Sequence, residues 1–145
     1  TYKRYIGVFM SYLPSSEPDF TVYPSLSNAV NKAAGKHCNF SITGLNDLTN
    51  LSAIRWQDSS TTKPSDADIT SAYNTLLSEF PMHKLKAERN VKLAETDWMA
   101  VADRTQTNAE KTYRQALRDL PTTSSSPTYN YETGVLGNVN WPTKP

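Results

Sequence analysis

Ile69, Ala72, Tyr73, Leu76, Leu77 and Phe80 recur at i, i+3, i+4, i+7, i+8 and i+11 without an error. No other feature restricts the fold as much, because a helix with that stripe has to bury one face against the rest of the chain. Pro64 and Ser65 open it, with the Ser65 hydroxyl placed as an N-cap and Asp66 and Asp68 at the positive end of the helix. Pro81 lacks the N–H that the helical ladder uses, so a break or kink is expected there. A second helical run follows from Met82 to about Ala94, with Met82, Leu85, Arg89 and Leu93 along one side and Glu88 one turn from both Lys84 and Lys92. A third is expected from Thr107, because Thr107-Asn108-Ala109-Glu110 spells a capping box. Tyr113, Ala116, Leu117 and Leu120 give that helix its apolar face, and Pro121 is expected to stop it.

The flanking segments read as short strands and loops. Tyr2 to Leu13 is the most β-prone stretch, ended by Pro14, and Phe20-Thr21-Val22-Tyr23 is a candidate hairpin partner for it. Ser25 to Gly35 is a short helix with Leu26, Ala29, Val30 and Ala33 on one face and Gly35 where a left-handed cap belongs. Asn39 to Leu51 reads as irregular, Ala53 to Gln57 as a second short strand, and Tyr129 to Trp141 as a terminal hairpin. The fold class is therefore α+β: a small antiparallel sheet from the N-terminal strands, with the C-terminal tail as a candidate addition, packed against about three main helices. At 145 residues, one compact domain or two very small ones are expected.

Hydrophobic residues are 37% and charged residues 20% of the chain, both below the usual roughly 45–50% and about 25%. A modest core with long polar connections follows. The net charge of +1 sets up no field that would concentrate phosphate, so no nucleic-acid partner is indicated. A single cysteine, Cys38, excludes an intrachain disulfide. No apolar run approaches the ~20 residues of a membrane span and no signal-type apolar stretch opens the chain, so a soluble, cytosolically made protein is expected, with no membrane partner.

The candidate chemistry is thin. His37 and Cys38 are adjacent, and neighbours in an extended segment point to opposite faces, which works against a thiol–imidazole dyad. His37 and His83 sit in different elements, so no metal site is expected from them. Asp66-Ala67-Asp68 is explained by helix capping, and Glu95 and Asp97 by their place at a helix end. Lys84, Lys86, Arg89, Lys92, Arg114 and Arg118 alternate with Glu88, Glu95, Glu110 and Asp119, as on a solvated mixed-charge surface. We expect no catalytic residue, no metal and no cofactor. Trp56, Trp98 and Trp141 each lie beside a turn, where large rings either seal a small core or make contacts with partners; for Trp98 we expect the core.

Three stretches together resemble a known family. Trp56 to Ile69 (WQDSSTTKPSDADI) looks like the helix entry of many small phage proteins. Glu88 to Trp98 (ERNVKLAETDW) resembles a signature of the phage tail assembly chaperone-like family. Tyr113 to Pro121 (YRQALRDLP), followed by Val139 to Pro145 (VNWPTKP), is similar to that family's close. The resemblance covers roughly residues 55–145 and divides the chain into an unrecognised β-rich part, 1–54, and a helical domain with an extended tail, 55–145. It makes Trp56, Arg89, Asp97, Trp98, Tyr113, Arg114 and Trp141 the signature residues. It implies a non-enzymatic phage virion structural, tail or tail-fibre assembly accessory protein. Such a protein binds other phage structural proteins, in many copies of a symmetric virion particle. A capsid decoration protein, a glycan-binding fibre module and a small thiol enzyme remain alternatives. The expected contacts are Tyr5, Phe9 and Tyr12 of the first strand together with Trp141. The Thr96-Asp97-Trp98 turn is expected to set Trp98 against the second and third helices, with Arg89 or Arg114 pairing with Asp97 or Asp119.

Overall fold

Ser65 acts as its position requires: its side chain accepts the Asp68 backbone N–H at 3.1 Å and starts a helix, α2, that runs Asp66–Ala94. The computed structural model describes residues 23–101 and 103–145. The strand expected over Tyr2 to Leu13, with Tyr5, Phe9 and Tyr12, lies outside the described residues, as do the first three positions of its hairpin partner.

α2 has 29 residues and is the axis of the structure, about 44 Å long at 1.5 Å per residue. Pro81 sits inside it, and the expected break does not occur. An interior proline costs roughly 3 kcal/mol. Leu76 and Phe80 before it and Leu85 after it are all buried, and each buried side chain of this size returns about 1.5–3 kcal/mol. Packing on both sides of the proline therefore outweighs the lost hydrogen bond.

Two layers of short elements cover this axis. The helix α1, Leu26–Ala34, is capped by Ser25 at one end and by Gly35 at the other, where φ is +70° as a left-handed C-cap needs. Strands β1 (Phe40–Ile42) and β2 (Ile54–Trp56) pair antiparallel with Phe40 opposite Trp56. Between them Asp47 caps a 3-10 helix, Leu48–Ala53. The expected strand at residues 53–57 is thus present as β2, while the segment from Asn39 to Leu51, expected to be irregular, holds β1 and the start of the 3-10 helix with irregular chain between them. Leu26, Ala29, Val30, Ile54, Ile69, Ala72 and Leu76 form one buried cluster, edged by Phe40, Trp56 and Tyr73. Residues on both sides of position 54 contribute to it.

The other half of α2 packs against α3, Asn108–Thr123. The capping box is complete: Thr107 Oγ1 accepts from Glu110 N at 3.2 Å, and Glu110 Oε2 accepts from Thr107 N at 2.9 Å. Pro121 lies within α3, which continues for one more turn to Thr123 instead of stopping. That turn is closed by Ser124 N–H donating to the Leu120 carbonyl at 2.9 Å, with Leu120 and Ser124 both buried. The tail forms its expected hairpin, β3 (Thr128–Asn130) against β4 (Val135–Gly137). At Gly137 a Cβ would come within 2.6 Å of Thr128 Oγ1 on the facing strand, so a larger residue there would have to turn the Thr128 side chain aside. The fold class is α+β as expected, with three α-helices and two separate two-stranded sheets among the described residues.

One aromatic group ties the parts together. Phe80 meets Tyr23, Tyr129 and Tyr131 with ring centroids 5.1, 4.9 and 5.9 Å away. The tail hairpin is thereby held to the middle of α2 beside Pro81. Burial, with the neighbouring tyrosines adding to it, pushes the Tyr131 phenol up to about 12.

Candidate functional site

The C-terminal end of α2 leaves backbone carbonyls without helical partners, and a single arginine closes it. Arg114, on α3, has a side chain only 8% exposed. Its Nη1 donates to the Leu93 carbonyl at 3.0 Å and to Thr96 Oγ1 at 2.7 Å, and its Nη2 donates to Asp97 Oδ1 at 2.8 Å. Thr96 is fully buried and its hydroxyl also lies within hydrogen-bonding reach of the Lys92 and Leu93 carbonyls, at 3.1 and 3.0 Å. A guanidinium placed at the negative end of a helix, on a carbonyl and a carboxylate at once, is stabilising in each contact. Of the four pairings expected from the sequence, the structure makes Arg114 with Asp97.

This clamp fixes a short 3-10 turn, Asp97–Ala100. Within it the expectation for Trp98 is overturned. Met99, not Trp98, turns inward and is 3% exposed, while Trp98 stands 55% exposed. Arg104 lies over the Trp98 ring at 4.7 Å, and its Nη2 bonds Glu110 Oε1 at 2.7 Å. The Arg104 guanidinium and the Thr107 N–H hold the Glu110 carboxyl below the usual range. Sequence reasoning missed both Thr96 and Arg104. Thr96 stands two residues past Ala94, where a hydroxyl can reach the last helical carbonyls, and that position was its only signal; nothing in the sequence marked Arg104 as the partner of Trp98.

The other signature residues have structural places. Tyr113 is buried on α3, and Arg89 is half-buried on α2. Trp141 is half-buried, with Lys92 Nζ 5.1 Å from its ring centre, and Lys144 approaches Glu95 at 3.8 Å, so the tail runs along the C-terminal half of α2. Lys84 pairs with Glu88 at 3.5 Å, while Lys92 serves Trp141 instead. Trp56 belongs to the first half of the molecule, stacked on Phe40 and donating its Nε1–H to the Thr61 carbonyl at 2.8 Å.

The reactive candidates do not assemble. His37 is exposed, and the Cys38 thiol donates to the Lys36 carbonyl at 3.6 Å. Desolvation, with Asp58 adding to it, raises the Cys38 pKa, which disfavours the thiolate that nucleophilic chemistry needs. Asp66 pairs with Lys63 at 3.7 Å, and Asp68 bonds Ser65 Oγ, so both serve the helix start. No group of three or more His, Cys, Asp or Glu gathers as a metal site among the described residues, and no helix among them is long and apolar enough to cross a membrane.

What the geometry defines is a helical module in which a buried arginine locks a turn and the turn holds an indole out to solvent. Residues 82–145 match the model of a family described as phage tail assembly chaperone protein. The match contains the Glu88–Trp98, Tyr113–Pro121 and Val139–Pro145 stretches and supports a phage tail-related accessory role. It begins inside α2, and the Trp56–Ile69 stretch lies outside it. No curated protein and no solved structure matches the chain.

Proposed function

We propose that this chain is a non-catalytic accessory protein of phage tail or tail-fibre assembly, acting by direct contact with other phage structural proteins and present in several copies in a symmetric particle. The family match over residues 82–145 carries the reading. The geometry of the matched segment supports it, because the clamp spends buried polar groups on presenting Trp98 outward (Arg114, Thr96) rather than on converging upon a cleft. An aromatic side chain held rigidly in solvent loses little entropy on binding and is the commonest kind of interface anchor.

The test is mass spectrometry of purified tails, purified heads, finished particles and tail precursors from infected cells. Recovery with tails, or with tail precursors alone, supports the reading and says whether the protein remains in the particle. Recovery with heads alone refutes it and makes the chain a decoration protein.

A further inference from the structure

A cleft of about 440 Å³ opens where the end of α3 meets the chain that leaves β4. Leu120, Thr123 and Ser124 line it from the helix, Ser125 and Ser126 from the turn that follows, and Asn138 and Asn140 from the tail. Its size falls within the roughly 300–1,000 Å³ of small-molecule sites, but those are mostly apolar. Here the lining is hydroxyls and carboxamides over a single leucine that is 3% exposed. Among the described residues that line it, none is ionisable.

Several of these groups are fixed by the fold and still have bonding capacity left. Ser124 is 6% exposed, and its hydroxyl bonds no other described residue. That hydroxyl is not sealed off either, so what stays open of Ser124 is a polar atom facing the cleft. Buried polar groups are nearly always paired, and this one is completed by what fills the cleft. Asn138 has φ +56°, a left-handed backbone that asparagine tolerates. Its Nδ2 donates to the Ser126 carbonyl at 3.4 Å, which leaves Oδ1 as an acceptor. Thr123 Oγ1 lies 3.3 and 3.2 Å from the Asp119 and Leu120 carbonyls, so its hydrogen is taken and its oxygen can accept.

We infer that this cleft binds a neutral saccharide unit. A sugar presents hydroxyls that donate and accept at once, and serine hydroxyls and asparagine amides meet them in both senses. A peptide side chain would need an apolar pocket, and Leu120 alone supplies apolar lining. An anionic sugar is disfavoured by the carbonyl end of α3, whose last turn carries no basic residue to offset it. Such a site is a binding activity separate from the protein contacts proposed above, and either can hold without the other.

Saturation-transfer NMR of the full chain with glucose, galactose, mannose and N-acetylglucosamine, each at millimolar concentration, tests it. Transfer to at least one of them is expected, and none to glucose 6-phosphate or N-acetylneuraminic acid. Asn140→Ala, at an exposed position, and Ser124→Ala, its fold checked by circular dichroism, each weaken binding by roughly 3- to 10-fold, as the loss of one hydrogen bond does. Should Ser124→Ala fail to fold, Asn140→Ala decides alone. No transfer from any of the four neutral sugars overturns the inference. Binding that is unchanged in the variants, or that favours the anionic sugars, overturns it as well.

Discussion

Replacing Arg114 by alanine removes the clamp on α2, and its cost is calculable from the geometry. Three contacts are lost: one to the Leu93 carbonyl, one to the buried Thr96 hydroxyl and one to the Asp97 carboxylate. The Asp97 side chain is 69% exposed, so that ion pair falls in the surface class, worth about 0–1 kcal/mol. The bonds from the charged guanidinium to Leu93 and Thr96 are made inside the protein, and such bonds contribute about 1.5–3 kcal/mol each, less than additively because they share one donor group. Arg114→Ala should therefore cost about 3–4 kcal/mol, and Asp97→Ala under about 1 kcal/mol. Arg114→Lys retains the charge but lacks the fork that reaches three acceptors, so it should recover less than half of the loss. Urea denaturation followed by far-ultraviolet circular dichroism measures all three. In a thermal scan the alanine variant should lose roughly 6–15 °C, at about 2–4 °C per kcal/mol for a chain near this size. If Asp97→Ala proves as damaging as Arg114→Ala, the surface ion pair carries the clamp and the reasoning is wrong.

Further outcomes follow from the same packing. Met99→Ala should destabilise by about 2–5 kcal/mol, whereas Trp98→Ala should cost about 1 kcal/mol or less, chiefly its contact with Arg104; equal losses in chemical denaturation would refute the inward and outward assignment. Glu110 has a folded pKa below its unfolded one. Its stabilisation is thus complete above the ordinary glutamate range and disappears as pH falls toward the folded value. Glu110→Gln should flatten that part of the stability–pH curve, and an unchanged slope would contradict the capping-box pairing. Pro81→Ala restores one helical hydrogen bond in a helix that is already continuous, and should raise stability by about 1–3 kcal/mol; a fall would show that the proline shapes α2.

The helix starts were legible because they rest on local chemistry. Ser65 and Thr107 with Glu110 satisfy the first free N–H groups from within four residues, and a sequence displays such partners directly. Gly35 marked one helix end just as directly, but the ends expected at prolines were misread. Pro81 and Pro121 are local stop signals, and what overrides them is distant: Phe80 against Tyr129 and Tyr131, and Leu120 buried at the close of α3. β1 escaped notice because the alternation of Phe40-Ser41-Ile42 is only three residues long within a polar stretch, and its partner, with Trp56 opposite Phe40, is distant in sequence. At the candidate site the sequence narrowed Arg114 and Asp97 to four pairings, but the inward place in the turn went to Met99 instead of Trp98. A one-residue difference in a 3-10 turn reverses which side chain is inside, and neither periodicity nor composition reports it.

The family match opens at Met82, the residue after Pro81, with α2 passing through that junction unbroken. The two ends of the molecule are accordingly mounted on one shaft, and the number of residues between them fixes their angular phase. Adding a single residue at the junction would turn the matched end by about 100° and move it out by about 1.5 Å, pulling Tyr129 and Tyr131 off Phe80, so the aromatic group that spans the junction holds the length of the shaft.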